Sequence, residues 1–171
     1  ACLRVRRASL RARPLWRGVS GGAGACLPGR VSDPPLSPGP SAAQCGWGCA
    51  DWPKLAGASV AGPIIECGAQ ATGGLWHRWD EVPDLAGIGY PIAEVFDDGS
   101  TLLTKPEGSG GIVEVGNVAE QLVYEIDDPT RYRTPDIDVD LTTVTLTQDG
   151  PDRVAVRGAS GVPPSDMLKV A

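Results

Sequence analysis

The sign of the charge reverses along this chain, and the reversal limits how much of it can share one core. Residues 1–53 carry seven Arg against two acids, Asp33 and Asp51, a net of +5. Residues 54–171 carry eight Lys or Arg against nineteen acids, a net of −11. Apolar content changes at the same point: the first 53 residues hold eight Leu, Ile, Val or Phe beside fifteen Pro or Gly. Such a segment buries too little apolar surface to offset its chain entropy. Residues 1–50 are therefore expected to form a low-order, basic, Pro- and Gly-rich leader, and residues 51–171 a folded domain. Residues 32–40 read SDPPLSPGP. Pro34, Pro35, Pro38 and Pro40 remove four backbone donors, which predicts loop there rather than helix.

The overall charge of −6 argues against a nucleic-acid partner. No apolar run approaches the roughly 18 residues that would span a bilayer, so no membrane partner is expected. The five cysteines are an odd number without a framework spacing, and no secretory h-region follows the early arginines. This reads as a cytoplasmic chain with reduced thiols.

Beyond residue 50 the pattern is of mixed α and β. Asp51 is placed to cap a helix over about 52–69, with Pro53 in the first turn, where its missing N–H costs nothing. Small residues from Ala56 to Gly62 suit close packing. Residues 91–96 and 101–104 flank Asp97-Asp98-Gly99-Ser100, a hairpin signal because glycine tolerates positive φ. Asn117 and Glu120 stand like a capping box, predicting a helix over about 117–126. Residues 139–147 and 153–157 read as a second β pair, and 167–170 as a last strand. The alternation of Asp136, Asp138 and Asp140 reads as the solvent face of a strand; an EF-hand is excluded because Leu141 stands where Gly is needed.

Two blocks concentrate chemistry. Residues 66–74, ECGAQATGG, place a carboxylate, a thiol, an amide and a hydroxyl (Glu66, Cys67, Gln70, Thr72) before Gly73 and Gly74, whose N–H groups could form an anion nest. The alternative is a glycine-capped helix end. Residues 105–111, KPEGSGG, combine Lys105 with glycine amides as a phosphate cradle, though without the Gly-Lys-Ser/Thr closure of a Walker loop; the alternative is a wide turn. Arg30 and Asp33, in GRVSDP, form a third and weaker group, with a forked donor for phosphate or carboxylate. Cys45, Cys49, Cys67 and His77 match no standard zinc spacing, and no metal is expected.

These blocks, with GYPIAEV, DGS, NVAEQLVYEIDDP, Tyr132 before Pro135-Asp136, Arg157-Gly158 and Pro163-Pro164, occur in an order that resembles the acyclic terpene utilisation family over about residues 51–171, extending weakly to residue 29. The resemblance implies a larger α/β protein, associated in bacteria with degradation of citronellol- and geraniol-like terpenoids as acyl-CoA esters. It implies an enzyme, or enzyme subunit, of acyclic terpenoid or branched acyl-CoA catabolism. Its rival is a non-catalytic scaffold subunit of a carboxylase system. By motif it assigns Glu66, Cys67, Gln70 and Thr72 to chemistry, with Glu66 as a base made effective by burial. It assigns Arg30, Asp33, Gly73, Gly74, Lys105, Glu107, Gly110 and Gly111 to a small-molecule ligand such as an acyl-CoA. No cofactor is implied; a homo-oligomer or a carboxylase-type partner subunit is compatible with it. The family carries an apolar helical stretch where residues 36–44 stand here. With no Met at position 1, that departure predicts a piece of a longer chain whose early segment is read out of frame or has diverged.

Overall fold

A computed structural model describes residues 11–27 and 31–166. Arg30 and the strand expected at 167–170 lie outside the described residues. The architecture is mixed α and β, with both sheets antiparallel. The helices are α1 (Arg13–Ser20), α2 (Pro38–Cys45), α3 (Trp52–Glu66) and α4 (Val115–Val123). One sheet joins β1 (Ile92–Val95), β2 (Thr101–Thr104), β6 (Val154–Arg157) and β5 (Thr145–Gln148) in that spatial order. The other joins β3 (Tyr132–Arg133), β4 (Asp138–Asp140) and β7 (Ser160–Val162).

Helix α3 is the hub. Val60 and Ile64 meet Leu103, Val113, Val118, Ile137, Val139 and Val154 in the main core. Its small residues let neighbours approach: a Cβ on Gly62 would come within 2.8 Å of Pro34 Cα, and one on Gly57 would strike the Gly99 carbonyl at the hairpin tip. Asp51 takes the cap position, but its carboxylate accepts the Gly48 N–H (2.7 Å) instead of a helix amide. The hairpin forms as read, pairing Ile92 with Thr104 and Val95 with Thr101, with Gly99 at φ 85°.

The segment expected to be low-order carries α1 and α2, and both pack. All four prolines sit in the first turns of a 3₁₀ turn (Pro34–Leu36) and of α2, where backbone N–H groups have no intrahelical partner to lose. A tally of Leu, Ile, Val and Phe also misses what builds this core: Trp47, Ala42 and Ala58 are buried, with Trp16 and Val95 against them. Trp47 Nε1 donates to Asp97 (3.1 Å), and Lys54 pairs with the same carboxylate (3.3 Å).

Three further expectations are corrected. Helix α4 starts earlier, because Glu114 is the cap and Asn117 closes its box by accepting the Glu114 N–H (2.7 Å). The strand expected over 139–147 divides, so that β4 and β5 belong to different sheets. The three aspartates do not share a solvent face. Asp138 is buried and accepts from Arg131 Nε (2.8 Å), and Asp136 accepts the Ala12 N–H through both oxygens (2.9 and 2.8 Å). No helix among the described residues is long and apolar enough to cross a membrane.

Candidate functional site

The two glycine blocks meet, but as packing. Thr72 is fully buried; its hydroxyl donates to the Gly89 carbonyl (2.5 Å), and its own carbonyl accepts the Ile112 N–H (2.9 Å). The four glycine amides are all engaged: Gly73 N–H donates to Gln70 (3.1 Å), Gly74 to Ala69 (2.9 Å), Gly110 to Gly87 (2.8 Å) and Gly111 to Pro83 (2.7 Å). A Cβ on Gly111 would lie 2.7 Å from the Thr72 carbonyl oxygen. Lys105, its side chain 8% exposed, donates to the Ser109 carbonyl (2.8 Å) and pairs with Asp152 (3.2 Å). Glu107 stands exposed in the same loop. The expected cradle of bare amides beside a free ammonium is therefore corrected. Each donor already has an acceptor within the protein, so Thr72, Gly73, Gly74, Lys105, Gly110 and Gly111 hold the loops together.

Beside this clamp lies an open cleft of about 400 Å³, walled by Leu75, Trp76, Val123 and the ring of Tyr124, with Gln70 and Glu120 at its polar edges. Two other amides in its wall are spent on backbone. Asn117 Nδ2 donates to the carbonyls of Ala71 (2.6 Å) and Ile112 (3.1 Å), and Gln121 Nε2 to Pro63 (3.2 Å). Two buried polar atoms are left over: Trp76 Nε1, on a side chain only 4% exposed, and Gln70 Oε1 have no partner among the described residues. One is a donor and the other an acceptor. Buried polar atoms are seldom left unpaired, and such exceptions cluster where a ligand or water binds. His77 lies outside the cleft, exposed and hydrogen-bonded to Glu120.

Along the rim runs a chain of three groups. Cys67 Sγ is 2.8 Å from the Tyr124 hydroxyl and 3.0 Å from Glu66 Oε2. Burial pushes the Cys67 thiol up, with the Glu66 charge adding to it, and the Cys67 hydrogen bond and then burial push the Tyr124 phenol up. Both are thus neutral near pH 7. The thiol donates to Glu66 and accepts from Tyr124, a weak nucleophile by this account. Glu66 itself is exposed, not buried as a base there was expected to be.

Asp33 lies beside Glu66 here, together with Glu125. Carboxylate oxygens of the three lie within 4.8 Å of one another. They are oxygen ligands of the kind a hard cation takes, on partly or fully exposed side chains. Tyr132 feels this cluster: burial first, then the charges of Asp33, Glu125 and Glu66, push its phenol up to about 12. The unfolded phenol loses its proton near pH 10 while the folded one keeps it, so the stability Tyr132 contributes is complete below pH 10 and is lost as pH rises towards about 12. Alkaline titration followed at 295 nm is expected to show a tyrosine step delayed to about pH 12, and Tyr132→Phe to remove that step; a Tyr132 that ionised near pH 10 in the folded protein would contradict the burial.

Trp76, Tyr124 and Glu125 were not legible as site residues, because each reaches the cleft or its rim only through the packing of α4 on the turn after α3. A comparison with family models matches residues 4–171 to the one described as "Acyclic terpene utilisation family protein AtuA", taking in the early segment expected to be out of frame or diverged. No curated protein and no solved structure matches the chain.

Proposed function

The chain belongs to the acyclic terpene utilisation family, and from that premise we propose that it is an enzyme, or an enzyme subunit, of acyclic terpenoid catabolism whose ligand lies in the cleft of Trp76 and Gln70. The observation that carries this reading is the pairing of apolar walls with one unpartnered donor and one unpartnered acceptor. A branched hydrocarbon chain covers Leu75, Val123 and the Tyr124 ring. Its oxygen end takes the Trp76 N–H and offers a proton to Gln70 Oε1. The volume falls within the roughly 300–1,000 Å³ of ordinary ligand pockets.

Tyr124 links that oxygen end to the rim. From the phenol the hydrogen bonds run on to the Cys67 thiol and the exposed Glu66 carboxylate, which stands at the end of that chain as the base of this reading. An acyl-CoA ester would place only its acyl part in the cleft. Its phosphates have no cradle in the glycine loops, whose amides are engaged.

The test is a calorimetric titration of the protein with citronellol and with citronellyl-CoA. Trp76→Phe is expected to weaken binding of both ligands about tenfold, and Gln70→Leu that of citronellol, whose hydroxyl has a proton to donate, the loss of one hydrogen bond worth ~1.4 kcal/mol. The closure of all four glycine amides favours a second reading, a scaffold subunit of a carboxylase system whose glycines serve packing. No heat with either ligand supports that reading and defeats the first.

A further inference from the structure

A second recess, of about 170 Å³, lies between α1, α2 and α3, and none of its lining residues is shared with the cleft. Trp16, Trp52, Leu55 and Ala42 give it apolar walls. Ser59 also faces it, and is 1% exposed with a hydroxyl that has no partner among the described residues. Pro63, four residues on, has no N–H to give to the Ser59 carbonyl, so α3 is short of a hydrogen bond at the same residue. The carboxylate in the wall, Asp136, is spent on the Ala12 N–H through both oxygens.

We propose that this recess binds a small, uncharged, mainly hydrocarbon molecule carrying one hydroxyl, which pairs with Ser59. Size sets the lower bound. An apolar cavity of about 150 Å³ takes a benzene-sized molecule, and a water fills about 30 Å³ and needs two to four polar partners, which one serine does not supply to a set of waters. Charge sets the class. Ser59 sits where a carboxylate placed against it would be stripped of water, while Arg11 and Arg13, which also line the recess, are exposed residues. A hydroxyl group matches a serine as both donor and acceptor.

The probe is 3-methylbutan-1-ol, titrated into the full chain while the indole N–H signals are followed by NMR, with 3-methylbutanoate as the charged control of equal carbon skeleton. Saturable shifts are expected at Trp16 and Trp52, and affinity for the acid is expected to be at least about tenfold weaker. Ser59→Ala, a substitution a helix accepts readily, is expected to weaken the alcohol about tenfold and to narrow the gap between the two probes. Absence of a saturable shift at Trp16 and Trp52 overturns the proposal, as does equal binding of alcohol and acid by the unsubstituted protein, or an Ser59→Ala variant that binds the alcohol undiminished.

Discussion

Gly110→Ala is expected to cost about 4 kcal/mol, a large share of the roughly 5–15 kcal/mol by which folded domains are stable. Gly110 N–H donates to Gly87, its carbonyl accepts from Gly89, and it forms a parallel bridge with Ile88. A Cβ there would drive into the carbonyl of Asp84, and backbone on both sides of that contact leaves no flexible side chain to give way. The neighbouring Gly108 supplies the control. It has φ +74° with nothing within 4 Å of a new Cβ, so Gly108→Ala is expected to cost only the ~1 kcal/mol of left-handed backbone. Urea denaturation of the two variants checks the contrast. Equal losses would mean that the Asp84 backbone gives way to the new Cβ, and that the account of the loop as a packed clamp is wrong.

Asn117→Leu is expected to lose about 3 kcal/mol. One buried amide does three things there: its oxygen accepts the Glu114 N–H that opens α4, and its nitrogen donates to the carbonyls of Ala71 and Ile112. Leucine keeps the bulk and abandons all three partners, two of them in block 66–74 and the segment after block 105–111. Asn117→Asp separates the contributions. It keeps an acceptor for the helix cap but sets a carboxylate oxygen against two carbonyls, so a loss at least as large as that of leucine is expected. A mild Asn117→Asp phenotype, with Asn117→Leu severe, would mean that the cap, and not the joining of the two blocks, is what Asn117 supplies.

How far the fold could be read from the chain depended on the range of the signal. The hairpin at Gly99 and the start of α3 after Asp51 are written in a few adjacent residues, and both formed where expected. The Pro-rich stretch was misread because proline at the first turn of a helix and proline in its interior look alike until the helix start is known. Its core was missed for a related reason: Trp47, Ala42 and Gly39 bury surface by close approach to α1 and α3, which composition does not register. The aspartates at 136 and 138 do not follow the strand period read for them: Asp136 lies in the bend before β4, held by the distant Ala12 N–H, and Asp138 is buried against Arg131.

The amino-acid order determined on its own the mixed α and β class, the family, and the fact that Glu66, Cys67 and Gln70 would stand close together at the end of one helix. It could not determine whether the glycine amides would be free. An amide donor takes whichever acceptor the fold brings to it, and here Gly110 and Gly111 are met by carbonyls more than twenty residues earlier, at Gly87 and Pro83. The same packing that spent those amides left Trp76 Nε1 and Gln70 Oε1 unspent. Tertiary structure thus used up the hydrogen-bond capacity of the glycine loops and left some in the cleft wall, because that capacity is a property of each group in its surroundings and not of the residue type.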